Sequence, residues 1–142
     1  MVAPQASAYE ELAYHAEGIL TLVPYSGFST ATRTGIREST NKWNVASGKT
    51  KLLTSSSTHS KKGNFRISDS QNGIWKVPDE DDIVGYTYST SFNMSTGAYY
   101  EVDVNLNSNA NFANSAQPGC YDSYTTILHE LGHALGLKDL YL

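Results

Sequence analysis

The sequence predicts an α+β domain, bordering on α/β, in which a twisted mixed β-sheet is backed by two long helices. Three observations predict it. Tyr100, Val102, Val104 and Leu106 alternate against Glu101, Asp103 and Asn105; Ile36, Thr40 and Trp43 recur at helical spacing; and Ile127, Leu128, Leu131, Ala134 and Leu135 form a second helical stripe. A length of 142 residues suits one globular domain with a sizeable core and is short for two.

In chain order, residues 1–15 read as a tail. Val2-Ala3-Pro4-Gln5-Ala6-Ser7-Ala8 has the small-x-small ending of a signal-peptide cleavage region, and no basic or apolar stretch precedes it. The tail is therefore either the remnant of a signal or propeptide or a disordered segment, and residues 16–142 form the domain. Within Ala16 to Tyr25 the apolar run Ile19, Leu20, Leu22, Val23, closed by Pro24, predicts a first strand. Ser29 or Thr30 can cap a helix that runs to about Asn44, with Gly48 marking its exit.

Lys51 to Ser55 and Asn64 to Ser68 are short strand candidates, separated by a Ser- and Lys-rich loop from Ser55 to Gly63. A polar loop is expected from Asp69 to Asp82, around Trp75 and Pro78. Ile83 to Ser89 alternates, with Val84, Tyr86 and Tyr88 on one side, and a turn over Asn93 to Gly97 can join it to the strand Tyr99 to Leu106 as an antiparallel pair. Asp122 or Ser123 caps the last helix.

Composition narrows the function classes. The net charge is −4, and the ten Lys and Arg are scattered with Lys61-Lys62 as the largest cluster, so nothing points to nucleic acid. No apolar run approaches the roughly 20 residues of a membrane-spanning helix. Ten Tyr and a single Cys in a Ser-, Thr- and Asn-rich chain fit an extracellular protein without disulfides.

The last helix carries the chemistry. It contains His129-Glu130-Leu131-Gly132-His133. Histidines four apart project from one helix face a turn apart, so two imidazole nitrogens can reach one Zn²⁺ at about 2.0–2.1 Å. Glu130, beside the first ligand, is the candidate general base for a water that the metal activates. Gly136 can end the helix with φ > 0 and turn the chain sharply, which brings Asp139 back as a third ligand.

His129-Glu130-Leu131-Gly132-His133-Ala134-Leu135-Gly136-Leu137-Lys138-Asp139 resembles the HExxHxxGxx(H/D) signature of the metzincin clan, and Asp in the third position is similar to the small snapalysin-type peptidases. The order of elements around it resembles matrixin-like domains across the chain in outline, specifically over Thr125 to Asp139. The resemblance implies a metzincin-like fold and a secreted zinc-dependent endopeptidase with a protein or peptide substrate. His129, His133 and Asp139 would hold zinc and Glu130 would be catalytic. Ile83 to Ser89 would be an antiparallel edge strand, with Val84, Gly85, Tyr86 and Thr87 receiving an extended substrate by strand addition. Two features depart from the family. The chain ends at Leu142 with only Met1 and Met94, so the Met-containing turn and the segment that shapes specificity are absent and the sequence reads as truncated. The structural zinc site of vertebrate-type matrixins needs three further histidines and an aspartate, and with only His15 and His59 remaining it is not carried over.

Other residues have plainer expectations. His15 and His59 are expected to be solvated. Asp79-Glu80-Asp81-Asp82 reads as a solvated turn with Ca²⁺ as the alternative. Cys120 is a lone thiol, and Asn93-Met94-Ser95 is a glycosylation sequon that matters only in a eukaryotic secretory path. Two readings of other classes remain beside the peptidase: a non-catalytic zinc- or partner-binding domain, and a β-rich adhesion domain in which the motif is fortuitous.

Overall fold

The computed structural model describes residues 10–11, 15–16, 18–92, 95–96 and 98–139. Val2 to Ala8, and Asn93, Met94 and Gly97 of the expected turn and sequon, lie outside the described residues, as does the side chain of His15. The chain is α+β. The strands are β1 (Glu10–Glu11), β2 (His15–Ala16), β3 (Leu20–Pro24), β4 (Leu52–Thr54), β5 (Asn72–Trp75), β6 (Gly85–Phe92), β7 (Ala98–Leu106), β8 (Phe112–Ala113), β9 (Tyr121–Asp122) and β10 (Leu137–Lys138), with helices α1 (Thr30–Ser47) and α2 (Ser123–Ala134). The main sheet runs β4-β3-β5-β7-β6, and β2 pairs with the start of β7. Pairings along β4, β3, β5 and β7 are parallel, while β6 is antiparallel to β7 with Gly85 opposite Leu106 and Thr87 opposite Val104.

Helix α1 forms where expected. Ser29 caps it by accepting a hydrogen bond from the Thr32 N–H at 3.1 Å, and Gly48 ends it at φ 68°, a left-handed conformation that glycine adopts without a Cβ penalty. Ile36 and Thr40 are buried and Trp43 is half-buried. On this side of the sheet Leu22, Ile74, Val102, Val104 and Leu106 meet Ile36 from α1 and Ile127, Leu131 and Ala134 from α2. Burying a Val, Leu or Ile side chain contributes about 1.5–3 kcal/mol, so this layer holds both helices to the sheet.

The alternating polar positions of β7 do not face water. Glu101, Asp103 and Asn105 are 3%, 0% and 1% exposed, and Asn107 continues the row. They satisfy backbone groups of the neighbouring strand β5 and of the residues that flank it. Glu101 accepts from the Asp69 and Ser70 N–H groups, Asp103 from the Gly73 N–H, Asn105 from the Val77 N–H and Asn107 from the Asp79 N–H. Asp103 also accepts from the Trp75 indole N–H at 2.9 Å. Burial pushes the Asp103 carboxyl up to about 7 against these hydrogen bonds, and the neighbouring Glu101 and Asp69 carboxylates add to the rise.

Four expectations are corrected here. Asn64 to Ser68 is not a strand: the Asn64 side chain accepts from the Arg66 N–H, which bends the backbone, and Phe65 turns inward to a second core with Trp75 and Val77. Residues 72–75, expected within a loop, form the central strand β5. A Cβ at Gly73 would lie 2.5 Å from Trp75 Nε1 and 3.1 Å from Asp103 Oδ1, so the small residue permits this close pairing. His59 is not solvated but 6% exposed: its Nε2–H donates to the Ile74 carbonyl while Nδ1 accepts from the Lys61 N–H, and burial holds its pKa below the usual histidine range. Asp79 is drawn out of the acidic turn by Arg66, 3.1 Å away, and no clustering of Asp79 with Glu80, Asp81 and Asp82 for Ca²⁺ occurs among the described residues.

Candidate metal and catalytic centre

Helix α2 starts at Asp122, whose side chain accepts from the Thr125 N–H. Its apolar stripe faces the sheet, and this orientation sends His129 and His133 out on the adjacent face. A second device fixes the helix. The Trp43 indole N–H donates to the Leu128 carbonyl at 2.7 Å, and Gly132 makes room for the ring, since a Cβ there would stand 2.9 Å from Trp43 Cζ2. Gly132 inside the motif thus serves the packing of α1 on α2.

The helix ends as the sequence predicts. Leu135 N–H reaches back to the Leu131 and Gly132 carbonyls, Gly136 takes φ 97°, and the chain leaves along β10, antiparallel to β1. This reversal returns Asp139 to the histidines. His129 Nε2 and His133 Nε2 are 3.1 Å apart, and Asp139 Oδ1 lies 3.0 Å from the first and 3.4 Å from the second. His133 Nδ1 donates to the Leu137 carbonyl at 2.6 Å, which fixes the tautomer and leaves Nε2 as a bare lone pair.

These three atoms fit a metal ion. Ligands about 2.0–2.1 Å from a tetrahedral centre stand about 3.3 Å from one another, and the observed edges fall around that value. Two imidazoles and one carboxylate suit zinc and leave a fourth position open.

Glu130 is 6% exposed and lies under the histidines, with a carboxylate oxygen within 4.8 Å of both imidazoles. The Thr87 hydroxyl sits 2.6 Å from Glu130 Oε2 and 2.8 Å from the Glu130 carbonyl oxygen. Burial raises the Glu130 pKa; the Thr87 hydrogen bond and the two histidines oppose the rise, and Asp139 reinforces it. Strand β6 comes this close because Gly85 has no side chain: a Cβ there would meet Thr126 Cγ2 at 2.8 Å and Glu130 Cγ at 3.1 Å.

A cleft of about 660 Å³ opens between β6 and α2, lined by Val84, Gly85 and Tyr86 on one side and Thr126, His129 and Glu130 on the other. Val84, Gly85 and Tyr86 therefore line the cleft, while Thr87 directs its hydroxyl to Glu130. The structure also brings together groups that sequence reasoning missed: Thr87 with Glu130, Trp43 with Gly132, and the Leu137 carbonyl with His133. A signal for the first exists, since Gly85 and Thr87 are two apart and share one face of a strand. Cys120 is half-buried, unpaired in any disulfide, and takes no part in the centre.

No protein-family model matches this chain, and comparison with the curated proteins gives no match. No helix among the described residues is long and apolar enough to cross a membrane.

Proposed function

We propose that this protein is a secreted zinc-dependent endopeptidase of metzincin type, closest in its third ligand to the snapalysin-like peptidases. The observation that carries the reading is the triangle of His129 Nε2, His133 Nε2 and Asp139 Oδ1, with edges of 3.0–3.4 Å, beside a buried carboxylate. In this reading His129, His133 and Asp139 hold the ion. Zinc supplies Lewis acidity, polarising the scissile carbonyl and lowering the pKa of a water to about 7. An extended peptide lies along the edge of β6 that pairs with no strand among the described residues, at Val84, Gly85 and Tyr86, gaining main-chain hydrogen bonds by strand addition. Glu130 takes the proton of the attacking water as the O–C bond forms and passes it to the leaving amine as the C–N bond breaks. Thr87 holds Oε2 of Glu130, and Oε1 is the oxygen nearer Gly85 on the cleft side.

The test is zinc stoichiometry measured beside hydrolysis of an unstructured protein substrate. One zinc is expected in the parent chain, none in His133→Ala, and one in Glu130→Gln together with a loss of turnover of about 10²–10⁴-fold, the range for a general base. Wild-type turnover in Glu130→Gln would sink the mechanism. Zinc without hydrolysis in the parent would favour a non-catalytic zinc-binding domain.

A further inference from the structure

Strand β6 presents two different sides to a peptide laid along its edge. The Asn107 N–H donates to the Val84 carbonyl at 2.9 Å and Gly85 stands opposite Leu106, so Val84 and Tyr86 turn their main-chain groups toward β7. Gly85 and Thr87 therefore turn theirs toward the edge that pairs with no strand among the described residues. Their Cβ positions face α2 and Glu130, which sends the Tyr86 side chain to the opposite face of the sheet. There the Tyr86 ring is 38% exposed and 6.1 Å from the buried Phe65 ring. The Arg66 guanidinium carbon lies 4.6 Å from the Tyr86 centroid and 4.4 Å from that of Phe65.

This cluster is fixed in place and carries little net charge. Arg66 Nη2 donates to Asp79 Oδ2 at 3.1 Å, and the Asp79 side chain is 5% exposed, so the ion pair holds the guanidinium against both rings and offsets its charge. An antiparallel peptide bonded to Gly85 and Thr87 places one residue directly opposite Tyr86 as a non-hydrogen-bonded pair, with Cβ atoms about 4.5–5.5 Å apart. The side chain of that residue points away from the histidine centre and lands on the Tyr86 ring beside Arg66. A flat ring covers the exposed part of Tyr86 and meets the guanidinium. A carboxylate finds the guanidinium already paired with Asp79, and Asp82 lines the same cleft. We propose that Phe65, Arg66 and Tyr86 form a subsite for an aromatic side chain of the substrate, at the residue paired with Tyr86. The proposal rests on the reading of β6 as the peptide-binding edge, and it makes Arg66 and Tyr86 specificity-determining residues on the sheet face away from the metal centre.

The experiment is a calorimetric titration of the full Glu130→Gln chain, in the presence of zinc, with short acetylated Ala-Ser peptides in which a single Phe is moved through every position. Hydrolysis of the same peptides by the parent chain runs in parallel. Phe at the position paired with Tyr86 should tighten binding about threefold to tenfold over Ser, the range for one aromatic cross-strand pair, and Glu or Lys there should not. Tyr86→Thr keeps a strand-forming residue and should erase that gain. Arg66→Gln combined with Asp79→Asn leaves no buried charge without a partner and should reduce it. If every gain from Phe survives Tyr86→Thr, or if Glu or Lys binds as tightly as Phe at the paired position, the subsite is overturned. Peptides that bind with the Tyr86-dependent preference and are not cut by the parent would leave the subsite standing and remove the peptidase reading. Absence of any peptide binding would overturn the subsite along with that reading.

Discussion

The two faces of β7 put opposite demands on the chain. Toward α2 it buries Val102, Val104 and Leu106 beneath the helix that carries the histidine centre; away from α2 it buries Glu101, Asp103 and Asn105, with Asn107 just beyond its end. The first face is held by apolar area and the second by side chains that satisfy another segment's backbone. The histidine centre is encoded within eleven consecutive residues, His129 to Asp139, whereas the partners of the polar face are about thirty positions away. Local geometry makes the first readable from spacing. Tertiary contact alone creates the second.

The largest expected effect breaks the comparison at the histidine face. Glu130→Gln should lose activity by orders of magnitude and leave the fold standing, because its neighbours on α2 supply the packing. Thermal unfolding should move little. A large drop in stability would mean that Glu130 holds the structure together rather than serving the reaction.

On the polar face the effect belongs to stability and depends on pH. The Asp103 pKa rises from 3.8 in the unfolded chain to about 7 on folding, so the folded state binds the proton more tightly. Stability from this group is fully present below pH 3.8 and is lost as pH rises through 7; the integrated loss is about 4 kcal/mol. Asp103→Asn should therefore gain on the parent chain by about that amount between pH 4 and pH 8. Denaturant unfolding at several pH values reads this, and a flat difference between the two proteins would remove the claim that burial dominates at Asp103.

The same contrast explains what could be read from the sequence. The helices were legible, down to the caps at Ser29 and Asp122 and the turn at Gly136, because capping and helical periodicity involve neighbours a few residues apart. Strands β3, β4, β6 and β7 were legible from their apolar runs and alternation. The polar positions of β7 obey the same alternation as a solvated face, and nothing within ten residues of Asp103 reveals Gly73 and Trp75. Strand β5 was missed for that reason: only Ile74 and Trp75 are apolar, and its pairing depends on the small Gly73 meeting Asp103 and the Trp75 indole. His59 was misread because its solvent-sealing partner is the carbonyl of Ile74, fifteen residues on. Conversely, Phe65 and Ile67 alternate as a strand would, and one hydrogen bond from the Arg66 N–H to the Asn64 side-chain oxygen cancels the pattern.

A smaller effect tests the joint between the helices. Gly132→Ala places a methyl 2.9 Å from the Trp43 ring, so the indole must shift and its hydrogen bond to the Leu128 carbonyl must weaken. Overpacking of this kind costs about 1–3 kcal/mol. Zinc affinity should fall along with stability, since α2 carries both histidine ligands. Pairing Gly132→Ala with Trp43→Phe should recover part of the loss, because the smaller ring leaves room for the methyl. Additive losses in the double variant would show that the two residues do not act through one contact.

The smallest expected effect falls on Thr87. Thr87→Val removes the hydroxyl 2.6 Å from Glu130 Oε2 while keeping the β-branched shape. A neutral hydrogen bond to a charged group is worth about 1.5–3 kcal/mol, and the cleft offers Glu130 water in its place, so a loss of about tenfold in kcat is expected. KM and zinc content should stay near the parent values, because Thr87 lies beyond the cleft lining and touches none of the three ligand atoms. Thr87→Ser retains the hydroxyl and should restore most of the rate. If serine fails to rescue while valine folds normally, the methyl group rather than the hydrogen bond sets the base, and the polar contact is incidental on the histidine face where its counterparts across β7 are indispensable.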